Sequence, residues 1–81
     1  MQVRIRYFAA LREAVGAAEE ALDLPDGATV AQARGLLAER RPALAKLLPA
    51  CAAAVNRGYA QAETPLSDGA ELVFIPPLGG G

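Results

Sequence analysis

The sequence predicts an α+β domain in which one main helix packs across one face of a mixed sheet. Three observations carry this. Gln2 to Phe8 alternates with a period of two, the last strand from Glu71 also carries an apolar inner face, a capped helical stretch lies between them, and 81 residues leave room for one core only. A domain this small buries about 60–65% of its unfolded surface, so each large apolar side chain counts.

The elements follow in order. Gln2 to Phe8 alternates, with Val3, Ile5 and Tyr7 on one face and Arg4, Arg6 and Phe8 on the other, as in a half-buried strand. Ala9 to Val15 reads as a short helix closed by Gly16, which tolerates a left-handed conformation. Glu19 to Leu24 reads as a second strand, and Pro25-Asp26-Gly27 as a turn. Thr29 opens the main helix: Thr29-Val30-Ala31-Gln32 fits a capping box, in which the hydroxyl satisfies a free amide and Gln32 reaches back. Val30, Ala33, Leu36 and Leu37 share one stripe, and Pro42 stops the helix after Arg41.

Leu44, Leu47 and Leu48 predict one further helical turn before Pro49. Cys51 to Asn56 is an apolar run short enough for a buried strand, followed by a turn at Arg57-Gly58 and a return strand from Tyr59. Pro65 to Gly69 is a loop, and Glu71 to Pro76 the last strand, with Leu72 and Phe74 opposite Val73 and Ile75. The two terminal strands both carry an apolar inner face and are expected to pair in the sheet centre beneath the helix. That is the β-grasp arrangement. Residues 1–77 form the expected domain and residues 78–81 a flexible glycine tail.

Composition excludes several kinds of chemistry. A formal net charge of −1 and scattered basic residues argue against nucleic acid, whose phosphates need a basic face. The chain has no histidine, which removes His-based acid–base catalysis, His-activated nucleophiles and His-ligated metals. Its one cysteine, Cys51, allows neither an internal disulfide nor a thiolate metal cluster. In alternation with Ala53 and Val55 it is expected to be buried and inert. Apolar runs stay well short of the roughly 18–20 residues that cross a bilayer, and the chain turns strand-like at Met1-Gln2-Val3-Arg4, so a cytoplasmic protein is expected.

The chemistry points to the end of the chain. Pro76 and Pro77 cannot continue a sheet ladder. Leu78-Gly79-Gly80-Gly81 then extends at most roughly 13–14 Å and carries three residues with no side chain, narrow enough for a confined channel. The glycyl carboxylate of Gly81 is unhindered and suits adenylation.

Arg6-Tyr7-Phe8-Ala9-Ala10-Leu11-Arg12-Glu13, Ala54-Val55-Asn56, and the stretch from Pro65-Leu66-Ser67-Asp68-Gly69-Ala70-Glu71 through Pro76-Pro77-Leu78-Gly79-Gly80-Gly81 resemble the small subunit of molybdopterin synthase. This is a MoaD-like, ubiquitin-like family of sulfur carriers, and the resemblance spans the chain in order. It implies that an ATP-dependent activating enzyme adenylates Gly81 and that a sulfur donor protein converts it to a thiocarboxylate. The tail, with Gly80 beside the reacting group, would then enter the large synthase subunit within a heterotetramer. There the sulfur would attack cyclic pyranopterin monophosphate to build the dithiolene. The carrier itself would hold no cofactor and contribute no catalytic side chain. The thiocarboxylate is ionised at neutral pH and soft, as a cysteine thiolate is.

The resemblance also implies large-subunit contacts at Phe8, Tyr59 and Ile75, with Pro76, Pro77, Leu78 and Gly79 leading the tail into the partner. The family usually places a small polar residue where Gly79 stands. Two alternatives stay open: a sulfur carrier for thiamine, cysteine or another thio-cofactor, and a ubiquitin-like modifier or interaction module that joins Gly81 to lysines. Both begin with the same adenylate.

Overall fold

The computed structural model describes residues 1–77. The elements run β1 (Gln2–Arg6), α1 (Ala9–Val15), β2 (Glu19–Asp23), α2 (Val30–Arg40), β3 (Ala52–Val55), β4 (Gly58–Ala60) and β5 (Glu71–Ile75). The sheet order is β2-β1-β5-β3-β4. β1 and β5 are parallel, with Arg4, Ile5 and Arg6 opposite Glu71, Leu72 and Val73, and every other pairing is antiparallel. The terminal strands therefore meet in the middle of a mixed sheet. A parallel pair needs a long crossover, and the α2 segment is part of it.

The core lies on one side of this sheet. Val3, Ile5, Tyr7, Leu22, Leu72 and Phe74 point into it and are buried. Val30, Ala33 and Leu37 face them from α2, Leu11 from α1, and Leu44 and Leu48 from the connection to β3. Leu36 is only half-buried and packs at the margin of the cluster. The capping box at α2 is complete: the Gln32 amide donates to Thr29 Oγ1 at 3.3 Å, and the Thr29 amide donates to Gln32 Oε1 at 2.8 Å. Gly16 caps α1 at φ 80° and Gly27 closes its turn at φ 83°, both in the region that favours glycine.

Several boundaries differ from the sequence reading: β3 ends at Val55 rather than Asn56 and β5 at Ile75 rather than Pro76, which has no amide hydrogen for the ladder. β1 ends at Arg6 because Phe8, with φ −128° and ψ 158°, is already the N-cap of α1. β2 ends at Asp23, although the Leu24 amide still donates to the Met1 carbonyl at 2.9 Å. The extra helical turn is two 3-10 turns, Pro42–Leu44 and Leu48–Ala50, each holding a proline in its first two positions. Cys51 caps the second of these rather than opening β3.

The hairpin turn is Asn56-Arg57, with φ 48° and 72°, not Arg57-Gly58. Val55 pairs directly with Gly58, so the loop holds two residues, both in the left-handed region that a type I′ turn demands. Asn enters that region more readily than most residues, and its side chain is held by the neighbouring strand, Asn56 Oδ1 accepting from the Glu71 amide at 2.9 Å.

Candidate functional site

The side of the sheet away from α2 carries the exposed apolar side chains. Strand register builds it. Arg6 lies opposite Val73, Val73 opposite Ala54, and Ala54 opposite Tyr59, so one row crosses β1, β5, β3 and β4 on a single face. Ile75 stands two residues on from Val73, hence on the same face, and Phe8 stands two on from Arg6. Phe8 is 47% exposed and Tyr59 84% exposed; among the described residues they are the large hydrophobics left open to water. Val73 and Ile75 are half-buried between them, and the whole set lines one shallow groove.

Charged groups border this groove. Arg6 lies over the Phe8 ring, its Cζ 5.3 Å from the centroid, and pairs with Glu71 at 3.5 Å. Both contacts hold the guanidinium along the face, where it covers one side of the aromatic ring. Arg4 pairs with Glu19 at 2.6 Å further down the same side. Arg57, at the tip of the β3–β4 turn, also lines the groove. Pro76 is half-buried and Pro77 exposed, so the chain leaves β5 beside the groove. Leu78, Gly79, Gly80 and Gly81 lie outside the described residues.

Of the residues read from the sequence, Phe8, Tyr59 and Ile75 come together on one face. Sequence reasoning missed Ala54 and Arg57 as members of it. Alternation alone orients a strand's side chains, but which side chains become neighbours depends on the register between β5 and β3, set across a separation of about twenty residues.

Cys51 is elsewhere, 7% exposed in the core on the opposite side. Its thiol donates to the Leu47 carbonyl at 3.2 Å, and burial pushes its pKa up against a smaller opposing effect of Arg34. A thiol held protonated and covered is a poor nucleophile. Arg34 lies over the Phe74 ring at 5.0 Å and donates to the carbonyls of Leu48 and of Cys51, the latter at 3.0 Å. It ties the irregular connection to α2. Tyr7, Glu20 and Arg41 form a second tie, with Tyr7 Oη donating to Glu20 Oε2 at 2.6 Å and Arg41 gripping the same carboxylate at 3.0 and 3.2 Å. Neither cluster reaches the groove. Among the described residues, no group of acidic or thiol side chains is placed to hold a metal ion.

A mixed sheet with its terminal strands paired in the centre, a helix across one face and an open apolar patch on the other defines a ubiquitin-like β-grasp protein. The chain belongs to the ThiS family, whose model matches residues 5–81. It is 37% identical over 83 residues to the molybdopterin synthase sulfur carrier subunit of Chlamydomonas reinhardtii, covering 100% of both chains. Among solved structures, SAMP1 from Haloferax volcanii, a small archaeal modifier protein, superposes with a TM-score of 0.87 at 26% identity over 100% of both chains. A chain of the complex of subunits 1 and 2 of the molybdopterin-converting factor from Helicobacter pylori superposes at 0.74, with 27% identity and 100% of both chains covered.

Proposed function

We propose that this chain is a cytoplasmic sulfur carrier of molybdopterin synthesis, acting as a protein co-substrate without catalytic side chains of its own. An ATP-dependent activating enzyme adenylates Gly81, and a sulfur donor protein displaces AMP to leave a thiocarboxylate. The chain then docks on a large synthase subunit through Phe8, Tyr59 and Ile75. Pro76, Pro77, Leu78 and Gly79 direct the tail, and Gly80-Gly81 deliver the sulfur to cyclic pyranopterin monophosphate.

The observation that carries this reading is the apolar face beside the exit of β5. Phe8 and Tyr59 leave aromatic surface in water at a cost that a docked partner removes. The same face continues into Ile75 and Pro76, so a partner seated there lies within reach of the chain end. Full-length likeness to a sulfur carrier subunit, and to a chain solved in complex with its second subunit, supports the choice of pathway and partner.

The test is reconstitution. The thiocarboxylated chain, mixed with the large subunit and cyclic pyranopterin monophosphate, should yield molybdopterin and return a plain carboxylate at Gly81. Likeness to SAMP1 favours a second reading, attachment of Gly81 to lysines of other proteins. Isopeptide-linked products without sulfur transfer to the pterin would select that reading.

A further inference from the structure

Among the described residues, the ion pairs of the outer face leave one cation over. Arg4 has Glu19 and Arg6 has Glu71, while the side chain of Arg57 has neither an ion pair nor a hydrogen bond among the described residues. Arg57 lines the same groove as Tyr59 and Ile75, so two guanidiniums against the one Glu71 carboxylate leave the groove one positive charge. The backbone makes this arginine costly. It is the second central residue of a two-residue hairpin loop, at φ 72°, where glycine is strongly favoured because a Cβ crowds the following carbonyl. Asn56, which precedes it, is the residue that usually stands before glycine in this turn, so the local pattern calls for Asn-Gly and carries Asn-Arg. A residue held against its backbone preference, exposed and without an internal partner, fits a role outside the domain.

We infer that Arg57 is the charged anchor of the docking face and that the bound partner presents a carboxylate to it, inside an otherwise apolar contact with Phe8, Tyr59 and Ile75. This rests on the docking reading above and adds the chemistry of the partner's surface: apolar at the centre, acidic where it meets the β3–β4 turn. A guanidinium suits the position because its planar fork takes a carboxylate in two parallel hydrogen bonds. Opposite charges on the approaching surfaces also steer encounter, so association, and not only retention, depends on the residue.

The test uses the full chain and its cognate large subunit, with binding followed at several salt concentrations. Arg57→Gly gives the turn its favoured residue, so its melting temperature should equal or exceed that of the parent. Its affinity should fall roughly tenfold, as for loss of an arginine anchor, and its association rate should lose most of its salt dependence. Arg57→Glu should bind more weakly still and recover in part as salt is raised. Parent-like binding by Arg57→Gly, while Ile75→Asp fails to bind, overturns the anchor and leaves the docking face standing. Parent-like binding by Ile75→Asp overturns the docking face and the anchor with it.

Discussion

Phe74 and Ile75 are chain neighbours whose fates differ because the pleat of β5 turns successive side chains to opposite faces. Phe74 is fully buried beneath α2 with Arg34 over its ring, and Ile75 lies half-buried on the open face. Phe74→Asp would empty a core site whose truncation alone costs about 3–5 kcal/mol, and would add an unpaired carboxylate to an apolar interior. Against a total stability of about 5–15 kcal/mol, that should unfold the domain. Ile75→Asp keeps its carboxylate in water, so circular dichroism should find it folded while a pull-down on the large subunit finds it unbound. An unfolded Ile75→Asp beside a folded Phe74→Asp would reverse the two faces. Cys51 belongs to the same argument. Its covered, protonated thiol should react with a disulfide reagent far more slowly in the native chain than in denaturant, and an equal rate in both would contradict its burial.

At the scale of elements, the tie between β1, β2 and the end of α2 has a sign that pH can read. Burial alone would raise the Glu20 pKa, but hydrogen bonds from Arg41 and Tyr7, together with the charge of Arg41, outweigh it and leave the carboxyl below its ordinary value. A depressed acid stabilises the fold above its unfolded pKa and loses that contribution as pH falls toward the folded one. The melting temperature should therefore decline from about pH 4.5 downward, and decline less in Glu20→Gln. Tyr7 works in the other direction. Burial, then the hydrogen bond to Glu20, raises its pKa, so its contribution holds below pH 10 and fades above it. An acid limb of the same steepness in Glu20→Gln would show that the tie contributes nothing. This cluster was not legible in the sequence, because it joins β1, β2 and the residue after α2 through tertiary contact alone. The capping box, the α1 boundaries and the Gly16 cap were legible, since each depends on residues within one turn of one another. The hairpin turn was displaced by one residue because Gly58, the obvious turn former, follows the turn and Arg57 occupies it.

Across the whole molecule, an apolar inner face on each terminal strand was enough to place β1 beside β5, since two strands with matching apolar faces bury them best side by side. The pleat, which turns successive side chains to opposite faces, set Phe8 and Ile75 on the far face, and with them much of the candidate site. What it could not supply was the β5–β3–β4 register that adds Ala54, Tyr59 and Arg57 to the groove. The large, fully buried side chains among the described residues all fall between Val3 and Phe74. Deleting Gly80 and Gly81 should accordingly leave the melting temperature nearly unchanged while abolishing sulfur transfer, and a large fall in stability would show that the glycines serve the fold. The central claim is that sulfur travels on the carboxylate of Gly81, and mass spectrometry tests it most directly. After incubation with the activating enzyme, ATP and a sulfur source, the intact chain should exchange one oxygen for sulfur, and fragmentation should place that exchange at Gly81. Sulfur found instead on Cys51, with Gly81 an unchanged carboxylate, would contradict the account.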